Sequence, residues 1–124
     1  MTRAKKRKLT ITLSADWRAG LKAAGKTAAK GIKTGRYQGE VLNFETPAIL
    51  FSKLTEKRWE LVRLLQAVGP IGVRELARQA GRGVRRVHDD AQALIELGLI
   101  EKTDERKLVC PYADIHVDMH VQAA

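Results

Sequence analysis

Apolar and polar residues alternate through Leu9-Thr10-Ile11-Thr12-Leu13-Ser14, a period of two that predicts a short half-buried strand. From Ser14 the period changes. Ser14 can cap a helix with Asp16 in its first turn, and Trp17, Leu21, Ala24, Ala28 and Ile32 then share one face. Lys22, Lys26, Lys30 and Lys33 share the opposite face, and Gly20, Gly25 and Gly31 each weaken the helix by about 1 kcal/mol relative to alanine. Val41, Leu42 and Phe44 suggest a second strand, giving a β-α-β extension over residues 1–46. Thr46-Pro47 opens an apolar helix of Ala48, Ile49, Leu50, Phe51 and Leu54. Thr55 opens another, with Leu61, Trp59, Val62 and Leu65 inward, which ends at Gly69-Pro70.

The pattern is densest after Gly72. Val73, Leu76, Ala77 and Ala80 form the inner face of a short helix that Gly81 stops. Arg82-Gly83 turns the chain into a longer helix, Val84 to Leu97, whose inner residues are Val84, Val87, Ala91, Leu94 and Ile95 and whose end is Gly98. Leu99–Lys102 and Leu108–Cys110 then read as two strands around the polar turn Thr103–Lys107. Two crossed helices running into a hairpin predict an α+β winged helix-turn-helix over residues 47–124, closed by a C-terminal strand around Ile115–Val121. The extension at 1–46 is expected to serve a dimer or partner contact.

If Val84, Val87 and Ala91 face inward, Arg85, Arg86, His88, Asp89 and Gln92 face outward on the second helix. Arginine can bridge guanine, glutamine adenine, and aspartate can accept from cytosine in a major groove. Arg82 stands at the helix start, where free N–H groups and the helix dipole attract phosphate. Lys102, Arg106 and Lys107 would hold flanking backbone. The bland reading is a solvated face, with Arg85 and Arg86 paired to Asp89 and Asp90 at helical spacing.

Charge sharpens this picture. The chain has 124 residues and a net charge of +9. Residues 1–36 hold eleven Lys and Arg against Asp16 alone, whereas the remainder is nearly balanced. Arg3, Lys5, Lys6, Arg7 and Lys8 therefore read as a basic arm for a polyanion or an acidic partner. The lysine face at 22–33 either adds to that contact or is the wet side of a packed helix, and the residues leave both open.

The stretch Tyr37-Gln38-Gly39-Glu40 to Phe44-Glu45-Thr46-Pro47, then Leu54-Thr55-Glu56-Lys57-Arg58-Trp59-Glu60-Leu61 and VRELARQAGRGVRRVHDDAQALIELGLIEK at 73–102, resembles a group of prokaryotic MarR-like DNA-binding proteins. The resemblance covers about residues 37–118 and implies sequence-specific transcriptional regulation. Some of that group are antitoxins paired with small toxins. Gly72 and Gly83 depart from the Ser or Asp caps common there, and Asp89 stands where a basic residue is common.

The expected function is thus duplex DNA binding by a dimeric repressor, with an antitoxin that sequesters a small toxin as the alternative. A homodimer is expected because so small a domain offers little surface to cover the two terminal strands. An RNA-binding module has less support, since aromatics are 5% of residues and no stacking platform is visible. No nucleophile–base set, phosphate loop or catalytic carboxylate pair stands out, so neither enzyme chemistry nor a cofactor is expected. His116 and His120 on one strand would lie ~13 Å apart, too far to share a metal within one chain. A single cysteine, Cys110, and a basic start that no hydrophobic segment follows lead to the expectation of a cytoplasmic protein without a membrane span.

Overall fold

Residues 7–14, 39–120 and 123 are described by the structure, a computed structural model of the chain. Among them the order is β1 Arg7–Leu13, β2 Glu40–Phe44, α1 Pro47–Lys53, α2 Glu56–Val68, α3 Val73–Ala80, α4 Val84–Leu97, β3 Glu101–Lys102, β4 Leu108–Val109 and β5 Tyr112–Asp118. The fold is α+β. The helix predicted over residues 15–33 lies outside the described residues, as do Arg3, Lys5, Lys6, Val121 and Gln122.

These residues divide into two compact units. One is Lys53–Ala113; the other takes Arg7–Ser52 with Asp114–Ala124. The sequence reading put the border at 46/47 and gave the last strand to the helical unit, which needs correcting. The reason is backbone hydrogen bonding: β5 lies next to β1 in a sheet ordered β2-β1-β5, so the C-terminal strand joins the N-terminal pair. β1 and β2 run parallel in the register Leu9↔Glu40 to Leu13↔Phe44. A parallel pair needs a crossover of a dozen or more residues, and the chain between 14 and 39 supplies that length. As the middle strand, β1 buries Leu9 and Ile11. Its ends are tied to β2 by side chains: Arg7 donates twice to the Glu40 carboxylate at 2.8 and 2.5 Å, and the Thr12 hydroxyl meets Asn43 Oδ1 at 2.8 Å. Arg7 therefore belongs to a strand pairing rather than to the free arm of the sequence reading.

In the other unit each helix starts where its local chemistry allows. Thr55 accepts from the Arg58 N–H at the start of α2. α2 buries Leu61, Val62 and Leu65, while Trp59 is only half-buried. α3 buries Leu76 and Ala77, α4 buries Val87, Ala91 and Leu94, and the two helices pack against each other. Val84 was expected in this core but is 43% exposed. A helical side chain covers the turn on the N-terminal side of its own Cα, and the first residue of a helix has no such turn beneath it. Ala80 and Ile95 are half-buried. Leu99 and Ile100 enter the core whole, and β3 and β4 follow as an antiparallel hairpin. Ile71, just before α3, exchanges two backbone hydrogen bonds with Leu108 at 3.1 and 2.7 Å, which stitches the hairpin to the helices.

The turn between α3 and α4 depends on Gly81, whose φ of 67° and ψ of 35° are left-handed. Nothing lies within 4 Å of a Cβ placed there, so a side chain would meet only backbone strain. Gly72, by contrast, caps α3 at φ −75° with equally open space and no side-chain cap bond. Gly81→Ala should destabilise the chain by about 1–2 kcal/mol. Gly72→Ser should stabilise it by about 0.5–1 kcal/mol. Urea denaturation of the two variants checks both signs.

Candidate functional site

α4 begins bare. Gly83 is its N-cap and contributes no side-chain hydrogen bond, so the N–H groups of the first turn have no partner within the helix. They lie at the positive end of the helix dipole. Around this start an open recess of about 620 Å³ is lined by Lys57, Gly81, Arg82, Gly83, Arg85, Arg86 and Asp89. Arg85, Arg86 and Asp89, which the helical wheel turns outward, are exposed and line it. Lys57 is new: it sits in the first turn of α2, and only the packing of α2 against α4 brings it here. No periodicity of α2 alone singles it out.

Asp90 does something the sequence reading did not foresee. It turns away from Arg85 and Arg86 and accepts from Arg82 Nη2 at 2.6 Å and from Arg58 Nε at 3.1 Å. All three side chains are largely buried, at 18%, 15% and 22% exposure for Asp90, Arg82 and Arg58. Burial would raise the Asp90 carboxyl, but the hydrogen bonds from Arg82 and Arg58 outweigh it and hold the pKa below the usual aspartate value. Arg58 also donates to the Lys53 carbonyl at 2.8 Å, so the clasp ties the end of α1, the start of α2, the inter-helix turn and α4. Arg82 is thus a half-buried fastener rather than the open phosphate contact expected of it. Its Nη1 is buried without a hydrogen-bond partner.

The pairing of Arg85 and Arg86 with Asp89 and Asp90, the alternative left open by the sequence, is absent among the described residues. Asp90 is engaged elsewhere, and Asp89 lies 3.7 Å from His88 Nδ1, an ion pair only when that histidine is protonated. The neighbouring helix behaves oppositely. On α3 Arg78 forms a bidentate pair with Glu75, and hydrogen bonds from Arg78 and then Gln79 lower the Glu75 pKa to about 2. On α3 Glu75 takes up Arg78, whereas on the outward face of α4 neither Arg85 nor Arg86 is paired with the exposed Asp89.

Four of the remaining predicted residues line a second recess. His88 and Gln92 of α4 face Lys102 and Arg106 of the hairpin across it. Arg106 holds φ at 63°, a left-handed value, and the turn is closed by Thr103 N–H to Lys107 O at 2.7 Å and Arg106 N–H to Thr103 O at 2.9 Å. Lys107 is exposed on the hairpin and lines neither recess. Lys8, of the predicted arm, lies in β1. Cys110 is buried, its thiol 3.6 Å from the Tyr112 carbonyl and pushed up in pKa by burial. Among the described residues no group of three His, Cys, Asp or Glu side chains could hold a metal, and no helix is long and apolar enough to cross a membrane.

A model of the HVO_A0114 protein family matches residues 53–117, a span that includes α2 to α4 and the hairpin. No curated protein and no solved structure matches the chain.

The clasp has a pH signature. Asp90 titrates lower in the folded chain than in the unfolded one, so its contribution is complete above the unfolded value near pH 4 and is lost as pH falls through the folded value. Asp90→Asn should cost about 1–3 kcal/mol at pH 7, since it leaves two half-buried guanidinium groups uncompensated. The gap between wild type and variant should narrow below about pH 4. Urea midpoints of both proteins across pH 3–7 measure it.

Proposed function

The chain belongs to the HVO_A0114 family, and from its site we propose that it binds duplex DNA sequence-specifically as a transcriptional regulator. In this reading α3 and α4 are a helix-turn-helix, α4 enters the major groove, and the β3–β4 hairpin is the wing of a winged-helix domain. One observation carries it. Arg85 and Arg86 form no ion pair beside an uncapped helix start: Asp90 is drawn into the clasp with Arg58 and Arg82, and Asp89, exposed in the same recess, lies 3.7 Å from His88 instead. Such a surface suits phosphate at the helix N-terminus and guanine edges along the helix. Lys57 adds a phosphate contact from α2, and Lys102, Arg106 and Lys107 serve the flanking backbone. The MarR-like resemblance of residues 37–118 agrees with this assignment, and the protein acts by binding rather than by catalysis.

The regulator works as a homodimer, a repressor reading a palindromic site. What favours a protein contact is the unit built on the sheet: Val41, Ile49, Phe51, Val117 and Met119 are 38–57% exposed there. The alternative, an antitoxin that sequesters a small toxin, would draw on the same apolar side chains.

A duplex selected from a random pool, followed by fluorescence anisotropy, tests the main reading. Arg85→Ala should weaken the selected duplex by about 1–3 kcal/mol and relax preference at one base pair. Lys57→Ala should weaken selected and random duplexes alike and flatten the logarithmic salt slope by about 0.9. Tighter binding of single-stranded RNA than of duplex at matched salt would sink the assignment. Sedimentation equilibrium at micromolar concentration should give the mass of a dimer. A monomeric mass there would turn the apolar surface over to a different protein.

A further inference from the structure

In the order β2-β1-β5, β5 pairs with β1 on one side, and among the described residues no strand pairs with its other side. Such an edge is a template for a further strand, and many folded chains blunt it with charge. The charges on β5 are arranged differently. Side chains alternate along it, with Asp114, His116, Asp118 and, just beyond the strand, His120 in one set and Ile115, Val117 and Met119 in the other. The polar set alternates in turn, aspartate with histidine. All four polar residues are exposed, and none of their side chains has a hydrogen bond or ion pair among the described residues. Val117 and Met119 are exposed as well.

We infer that a second copy of the chain pairs antiparallel with β5, Val117 facing its own counterpart, so that two three-stranded sheets join into one. In that register His116 faces Asp118 of the partner subunit, Asp114 faces His120 of the partner subunit, and Ile115 faces Met119 of the partner subunit. Twofold symmetry repeats each contact. Opposed side chains of an antiparallel pair have Cβ atoms about 4.5–5.5 Å apart. A histidine ring has an N–H for a facing carboxylate whether it is neutral or charged. Other registers lose this match. Slipping one strand by one residue sets polar side chains against apolar ones, and slipping it by two sets aspartate against aspartate and histidine against histidine. A slip of four matches only half of the polar residues. β2, the other edge, carries one charge, Glu40, which Arg7 already holds, and it has no such self-complementarity. The homodimer of the proposed function is the premise; the pairing names its interface and needs no DNA.

Sedimentation equilibrium of the full chain at pH 7, without DNA, gives the dimer Kd of the wild type and of charge variants at these exposed positions. His116→Asp sets aspartate against aspartate at two symmetric contacts and should raise Kd about tenfold. The exchange His116→Asp/Asp118→His sets aspartate against histidine again and should return Kd to within about threefold of the wild type. Only a register in which residue 116 faces residue 118 of the partner subunit gives that rescue. A second measurement needs no variant: alternate amides among residues 115–119 should gain protection from hydrogen exchange as the wild-type chain is concentrated through its Kd. A dimer whose Kd ignores His116→Asp, is not rescued by the exchange, or forms without protecting those amides overturns the pairing and leaves the homodimer standing. A monomer at every concentration overturns both. Neither measurement involves a duplex, so a chain that binds no DNA yet shows the rescue supports the pairing and rejects only the DNA reading.

Discussion

Much of the helical unit depends on where one carboxylate points. Asp90 lies on α4, yet its two partners come from the start of α2 and from the turn between α3 and α4. A half-buried aspartate between two guanidinium groups is costly to desolvate, and it is held only because both of its oxygens accept charge-assisted hydrogen bonds. The same bonds orient α4 against α2 and fix the turn that starts it. They also decide the chemistry of the exposed face. A free Asp90 would stand one turn from Arg86, at the spacing where helical ion pairs form. Withdrawn into the clasp, it leaves Asp89 as the one carboxylate lining the recess of Arg85 and Arg86, and neither arginine is paired with it.

The start of α4 carries the same logic. Gly83 adopts φ −66°, a value open to any residue, and has nothing within 4 Å of a Cβ. A serine or aspartate would fit and would cap the helix. Glycine there is not required by backbone geometry, and its effect is to leave the first N–H groups uncovered next to Lys57, Arg85 and Arg86. Stability is given up at the position where an anion would gain most from the helix dipole. On the proposed reading this is a trade of folding energy for binding.

The helices were legible because their boundaries are chemical. Thr46 and Thr55 cap α1 and α2, and Gly81 and Gly98 end α3 and α4 in left-handed conformations that few other residues adopt. Periodicity then picked out Leu76, Ala77, Val87, Ala91 and Leu94 for the core. It failed at Val84, where the pattern continues but the helix beneath does not. The parallel pairing of β1 with β2 is what a β-α-β extension requires, whereas nothing local told that β5 would lie beside β1. The site was half legible. Outward positions on α4 follow from its wheel, but Lys57 and the roles of Arg58, Arg82 and Asp90 arise from contacts between residues eight to thirty-two apart, which no window of sequence displays.

Charge then divides the labour along the chain. Residues 53–113 contain twelve Lys and Arg and nine Asp and Glu, so the unit that holds α4 is only weakly basic. Three of those cations are already paired: Arg58 and Arg82 share Asp90, and Arg78 holds Glu75. Non-specific affinity for a duplex grows with the number of phosphates neutralised. A unit with so small an excess grips poorly, although a few well-placed arginines are enough to discriminate between bases. The excess of the whole chain lies in residues 1–36, with eleven cations against one acid. Under the proposed function, sequence preference and electrostatic grip therefore come from different parts of the chain: α4 selects, the hairpin positions it on the flanking backbone, and the basic N-terminal segment supplies the salt-sensitive attraction that they lack.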